Sequence, residues 1–258
     1  MKQDTEKKYN SIEKAIRILL EFKEEKPDWG VRELSQELGF SPATVQRILQ
    51  TLKASDFVDQ DPQSRQYFLG NVFYRFIQTL NSSTRINRAA RRYMGTVATQ
   101  TRETIHLNIV DGEDRICIST MESTRNLRAG MPMGHRSPLY AGASAKCLLA
   151  FSPPDFIKNY MEEISIKAIT DNTISNLNTL EKELKTIRAQ GYAVSLGERT
   201  QGLGSISAPV LDHTGTVQAS LSLALPEIRF SDPDHLKSCV SILVEAAGSF
   251  SSAMGFIP

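Results

Sequence analysis

The stretch from Val31 to Leu52, VRELSQELGFSPATVQRILQTL, constrains this chain more than any other, because it reads as two short amphipathic helices separated by a tight turn. Val31, Leu34 and Leu38 recur at helical spacing, and Gly39-Phe40 supplies the break. Ser41 is a good N-cap, and Pro42 sits at the first helical position, where its missing N–H costs nothing. In the second helix Val45, Ile48, Leu49 and Leu52 fall at i, i+3, i+4, i+7, which leaves Thr44, Gln46, Arg47, Gln50 and Lys53 outward. A short capped helix with a face of hydroxyl, amide and guanidinium groups is what entry into a DNA major groove requires. Arg pairs bidentately with guanine and Gln with adenine, while Ser and Thr hold phosphates. A solvated helical hairpin in an α-rich core has the same turn and is the competing reading.

The flanks favour the DNA reading. Upstream, Ile12, Ala15, Ile16, Leu19 and Leu20 form one apolar stripe, predicting a first helix that packs across the pair. Downstream, Phe57-Val58 and Tyr67-Phe68-Leu69 are β-prone runs joined by a turn-rich tip, with Arg65 placed to touch a phosphate or the minor groove. Three helices and a hairpin make a winged helix-turn-helix.

A length of 258 residues suits one large or two small domains, and 40% hydrophobic with 23% charged residues is ordinary for a globular protein with ample core. No apolar run approaches the roughly 20 residues of a membrane span, and the opening MKQDTEKKYN is too polar for a signal peptide. Cys117, Cys147 and Cys239 are odd in number and scattered, which argues against a disulfide framework and fits a reducing cytoplasm. The net charge of +1 gives no overall attraction for phosphate, so DNA binding has to come from local placement of Arg47, Lys53 and Arg65, doubled by dimerisation.

From about Asn71 to Asn81 an amphipathic segment carries Phe73, Phe76, Ile77 and Leu80 on one face, a plausible dimer surface. A second helical stretch, about Ser83 to Thr101, bears Arg85, Arg88 and Arg92 beside Arg91; this basic stripe suits phosphate, solvent or an acidic partner equally. Strands follow. Thr104–Val110 alternates, Asp111-Gly112 turns, and Arg115–Ile118 returns as a hairpin. Gly142 and Ala143 begin a small-residue helix, Pro153-Pro154 opens another, and Asn176–Gln190 is a helix with Leu177, Leu180, Leu184 and Ile187 inward. Three more strand-like runs (Tyr192–Leu196, Ser205–Leu211, Thr216–Leu225) and a final helix from about Pro233 to Met254 complete an α+β domain with mainly hairpin-connected strands.

No catalytic signature stands out: there is no phosphate-binding glycine loop, no H-E-x-x-H and no C-x-x-C, and the four histidines lack metal-ligand spacing. Neither a metal nor a cofactor is expected. Ser144 and Lys146 are the best support for a nucleophile and base, but one-residue spacing at a helix start does not put them on one face. More informative are hydroxyls at alternate strand positions. Ser205 and Ser207 oppose Ile206 and Ala208, and Ser220 and Ser222 oppose Leu221 and Leu223. Two such rows near a Gly/Ala-rich helix start fit either close packing or a hydroxyl-lined cavity for a small carboxylate.

The motifs in order resemble the IclR-type bacterial transcriptional regulators. The likeness runs from about Asn10 through Tyr67-Phe68-Leu69-Gly70, Glu103-Thr104-Ile105-His106-Leu107, Ser137-Pro138-Leu139-Tyr140-Ala141 into Lys146, Gly191-Tyr192-Ala193, Gly202 and Ala208-Pro209-Val210. The resemblance implies a winged helix-turn-helix over 10–70, linker helices over 71–101 and a GAF-like effector-binding domain over 102–258. It implies a homodimer or dimer of dimers on double-stranded operator DNA, and a small-molecule effector, an organic or aromatic acid. The family's pocket positions fall on Ala129, Met131, Ala143, Ser144, Ser205 and Ser222, with Ser195 where relatives often carry an acid and Ser205 where they often carry Cys. A pocket without that acid suits a larger or differently hydrogen-bonded ligand. Asp56 stands where Gly is usual after the recognition helix. The expected function is a ligand-responsive, non-enzymatic regulator, read as a repressor of a catabolic system, contacting DNA through Ser41, Thr44, Gln46, Arg47, Gln50, Lys53 and Arg65. The alternatives are an enzyme acting on the ligand and a constitutive DNA-binding oligomer.

Overall fold

Asn10 and Glu13 make a reciprocal capping box that starts α1 (Ser11–Leu20). The computed structural model describes residues 9–83 and 85–257; side chains of residues 81–85, including Arg85 of the basic stripe, lie outside that description. Helix α1 carries two apolar arcs at helical spacing, and only part of the expected stripe packs. Ala15, Ile18, Leu19 and Phe22 join the core, whereas Ile12, Ile16 and Leu20 are exposed. Phe22, just past the helix end, decides the choice by extending the buried arc, and the Trp29 indole N–H fixes that end by donating to Glu21 O at 2.8 Å.

Helix α2 (Val31–Leu38) stops at Gly39, whose φ of 67° is the left-handed conformation that lets the chain turn at once into α3 (Pro42–Ala54). Ser41 Oγ accepts from Thr44 N–H at 3.3 Å, and Val45, Ile48 and Leu49 are buried against Leu34 and Ile18 as their spacing predicts. Asp56 follows α3 at φ 59°, so the aspartate does adopt the left-handed turn usually given to glycine. Strands β1 (Val58–Gln60) and β2 (Tyr67–Leu69) form the wing, and Trp29 pairs by its backbone with Tyr67. Helix α4 (Val72–Ser83) tucks Phe73 edge-on against Phe57 at 5.7 Å and leaves Tyr74, Phe76, Ile77 and Leu80 exposed.

The chain divides into two compact units at 84/85. The two helices expected as one linker therefore part company: α4 goes with the first unit and α5 (Arg85–Thr101) with the second.

In the second unit, strands β3 (Thr104–Asp111) and β4 (Asp114–Met121) form the expected hairpin. The short strand β5 (Arg136–Pro138) follows, then α6 (Ala143–Phe151), α7 (Pro154–Glu163) and α8 (Leu177–Gln190). Strands β6 (Ala193–Leu196), β7 (Leu203–Leu211) and β8 (Val217–Pro226) lead through a 3₁₀ turn at Glu227–Ser231 to α9 (Pro233–Met254). The six strands form one antiparallel sheet in the order β5-β4-β3-β8-β7-β6. One face packs Ile105, Leu107, Leu221 and Leu223 against Met94 and Val97 of α5 and Leu243 and Phe250 of α9. The opposite face meets α6, over which α8 lays Leu180, Leu184 and Ile187; Leu177, expected inward, is exposed at the first helical position.

Because both faces are covered, the polar alternates of β3 do not reach solvent. His106 and Asn108 are buried on the α6 side. Among the described residues no helix is long and apolar enough to cross a membrane.

Candidate functional site

Two places gather functional side chains, one in each unit. On α3, Arg47, Gln50 and Lys53 are exposed, as are Ser41 at its start and Arg65 at the tip of the wing, where φ is 62°. The surface is more engaged than its sequence suggests. Gln46 is half-buried and its amide donates to the Tyr67 hydroxyl at 3.2 Å, so it braces α3 against the wing rather than pointing freely outward. Lys53 pairs with Asp59 of β1 at 2.9 Å, and Ser41 Oγ and Thr44 Oγ1 share a hydrogen bond at 2.8 Å. Arg47 has no hydrogen-bonding partner for its guanidinium among the described residues and is the group best placed to enter a groove.

In the second unit a cavity of about 230 Å³ opens between the α6 side of the sheet, the start of α6 and the loop between β4 and β5. Register builds its floor. Ser195, Ser205 and Ala224 align across β6, β7 and β8, and Ser207, Ser222 and His106 align across β7, β8 and β3. Met131, Ser144, Ser195, Ser205 and Ser222, read from the sequence, all line it. Ala129 and Ala143 do not: both are buried beside it, and their neighbours Gly130, Gly142 and Ser144 supply the wall. The two serine rows have divided roles. Ser207 Oγ donates to Ser222 Oγ at 2.6 Å, and Ser220 Oγ donates to the Ser144 carbonyl at 3.4 Å, so Ser207 and Ser220 serve packing while Ser205 and Ser222 face the space.

The start of α6 has no side-chain cap. Gly142, at φ 90°, donates its N–H to Glu198 Oε2 at 2.9 Å, and a side chain there would put its Cβ 3.0 Å from Arg199 Cδ. Glu198 is thus an acid on the cavity wall, three residues beyond Ser195. Its charge is taken by Lys146 Nζ at 2.6 Å, which also reaches Glu183 at 2.9 Å. Lys146 is bonded to both carboxylates and makes no bond to Ser144 among the described residues.

Sequence reasoning missed His106, Asn108, Arg115 and Arg199. The first two stand at alternate positions of β3, and polar residues alternating in a strand covered on both faces are the signal that points to a cavity. Burial, with Arg115 and Arg199 behind it, pushes His106 down to about 4, so the imidazole is neutral at pH 7. Among the described residues its buried Nε2 has no hydrogen-bond partner. Burial and then Arg199 draw Arg115 down to about 9, which leaves it charged at pH 7. Among the described residues no His, Cys, Asp and Glu cluster has the form of a metal site.

This pairing of a reading helix with a polar cavity has relatives. The family model described as "Bacterial transcriptional regulator IclR C-terminal" matches residues 78–252, and the IclR helix-turn-helix model matches residues 11–62. The chain belongs to the IclR family. Its IclR relatives include the HTH-type transcriptional regulator KdgR of Escherichia coli, 33% identical over 255 residues, which cover 98% of this chain and 97% of KdgR. An IclR regulator structure from Alicyclobacillus acidocaldarius superposes with a TM-score of 0.86 at 26% identity, covering 96% of this chain and all of that one. An IclR homolog from Microbacterium hydrocarbonoxydans, complexed with 4-hydroxybenzoate, shares the fold at 17% identity and a TM-score of 0.84, covering 95% and 99% of the two chains. A DNA-binding transcriptional regulator is what membership in the IclR family makes of this chain.

Proposed function

We propose that this regulator is a cytoplasmic homodimer that represses a catabolic system until a small organic or aromatic acid, bound in the cavity and not consumed there, releases it from operator DNA. The observation that carries the reading is the cavity itself, a set of buried hydrogen-bonding groups that packing alone does not require. Its 230 Å³ is below the roughly 300–1,000 Å³ of sites for drug-sized ligands, so the acid is small. The 4-hydroxybenzoate bound by the Microbacterium homolog is an acid of the right class. In support of a ligand that removes DNA binding rather than creating it, α3 and the wing are already braced by contacts inside their own unit. That in turn requires the ligand to favour one arrangement of the dimer over another.

Dimerisation rests on the exposed Phe76, Ile77 and Leu80 of α4 and on charge: two half-sites roughly 34 Å apart combine two weak contacts into one strong one. Sedimentation of the full chain should show at least a dimer at micromolar concentration. Calorimetry with a panel of small acids, 4-hydroxybenzoate among them, tests the rest. Ser222→Leu fills the cavity and should abolish acid binding while leaving operator binding intact. Undiminished binding would move the pocket elsewhere, and consumption of the acid would favour an enzyme.

A further inference from the structure

Met131 stands in an odd place. Its thioether sulfur lies 2.9 Å from Nη1 of Arg115 and 3.7 Å from Nη1 of Arg199, so two guanidinium groups converge on one neutral, weak acceptor. Arg115 is fully buried, and its remaining contacts are neutral as well: Ser137 Oγ at 2.7 and 3.0 Å and Asn108 Oδ1 at 3.0 Å. Among the described residues no carboxylate forms an ion pair with either arginine. Glu198, the acid on the same wall, is already committed to Lys146 and the Gly142 N–H. A buried cation surrounded by neutral dipoles and a second cation is an arrangement that an anion would stabilise strongly.

We propose that Arg115 and Arg199 form a carboxylate clamp, and that Met131 is a placeholder which the carboxylate of the effector displaces. The inference deepens the proposed function and rests on the cavity being the effector site. Methionine suits the role because its unbranched, flexible side chain withdraws without rearranging its neighbours, and Met131 lies in the loop between β4 and β5, flanked by Gly130 and Pro132. Gly142 suits it too, since only glycine leaves Arg199 its position against the start of α6.

Two further groups say what the rest of the ligand carries. His106, on the cavity wall, has an Nε2 with no partner among the described residues, while its Nδ1 lies 3.8 Å from Cys117 Sγ. Ser222 Oγ accepts from Ser207 and from Asn108 Nδ2 at 3.2 Å, which leaves its own proton to donate. An acid with one carboxylate for the arginines and further hydrogen-bonding oxygens for His106 and Ser222 satisfies all of them.

The test follows the Met131 methyl group by NMR in full-length protein labelled with methyl-¹³C methionine, the resonance being assigned with Met131→Leu. Sodium acetate, the neutral acetamide and inorganic phosphate are titrated separately at constant ionic strength. Acetate should shift the Met131 methyl saturably and acetamide should not. Arg199→Gln, at a partly exposed position, should weaken acetate about tenfold, the worth of one charge-assisted hydrogen bond. Met131→Ala should bind acetate more tightly, because the competing side chain is gone. An unmoved methyl, an equal response to acetamide, tighter binding of phosphate than acetate, or unchanged affinity in Arg199→Gln would each overturn the clamp. The two readings fail separately. A panel acid that binds wild type and Arg199→Gln alike sinks the clamp and spares the effector site. Acetate moving Met131 while no acid alters operator affinity does the reverse.

Discussion

The two units of this chain treat polar side chains in opposite ways. In the first, every group on the reading face touches water, and neighbours tie several of them loosely: Lys53 to Asp59, Gln46 to Tyr67, Ser41 to Thr44. In the second, several of the candidate groups are buried, and among the described residues Arg115 has no carboxylate bonded to it and the Nε2 of His106 has no hydrogen-bond partner. A surface that will meet DNA exchanges water for phosphate and base at little cost in folding. On the proposed function, a cavity for a small acid holds desolvated groups ready, at a cost to the fold that a ligand would offset. The reading unit is therefore expected to respond to changes in salt, the sensing unit to changes in pH.

Acidification breaks the comparison open most sharply, because all four histidines lie in the second unit and the single tryptophan, Trp29, lies in the first. The folded His106 titrates at about 4 against 6.5 for a solvated histidine. The unfolded chain thus takes up the proton first, and the stability supplied by a neutral His106 is complete above pH 6.5, falls as pH drops towards 4, and is gone below it. The loss amounts to about 3 kcal/mol across that window. Urea unfolding at pH 7 and pH 5, followed by circular dichroism, should show the second unit weakening, while Trp29 fluorescence reports a first unit that holds. His106→Gln should flatten the dependence. An equal shift in the Trp29 signal would mean that the two units unfold as one.

The same contrast explains what could be read in the sequence. In the first unit one side of each element faces water, so helical period, Ser41 and Gly39 point to the right residues; the error at Ile12, Ile16 and Leu20 arose because α1 carries two apolar arcs and the deciding Phe22 lies beyond its end. In the second unit the sheet is covered on both sides, and alternation no longer separates core from solvent. It separates core from cavity. The serine rows of β7 and β8 are legible because hydroxyls recur in two strands, whereas His106 and Asn108 recur in one strand alone. Arg115 was hidden for a similar reason, since its burial depends on β5, α6 and the Met131 loop closing over β4. Arg199 reaches the cavity from an irregular loop, where no period exists to read.

On the reading face the largest effect is expected at Arg47, whose exposed guanidinium is unengaged among the described residues. Arg47→Ala should lose about 1–3 kcal/mol on the operator and relax preference at one base position, measured by anisotropy over a set of single-base operator variants. Acid binding in the other unit should not change. Uniform weakening across all sequences would make Arg47 a phosphate contact instead, and no weakening would place the reading elsewhere on α3.

The smallest effect probes how tightly that surface is tied to itself. Asp59 holds the Lys53 ammonium at 2.9 Å, and the lysine in turn keeps the Asp59 carboxyl below its usual range. While the pair persists, Lys53 brings a neutralised charge to DNA. Asp59→Asn removes the competitor and leaves the wing hairpin intact, because the exposed side chain is not part of its core. The variant should bind the operator somewhat more tightly at low salt, and the slope of log affinity against log salt should steepen by about 0.9 for each half-site that gains a phosphate contact. An unchanged slope would show that Lys53 already leaves Asp59 for phosphate when DNA arrives, and a shallower one would show that Asp59 positions the lysine rather than competing for it. Neither outcome touches the cavity, which lies in the other unit and holds Arg115 among Ser137, Asn108 and Met131.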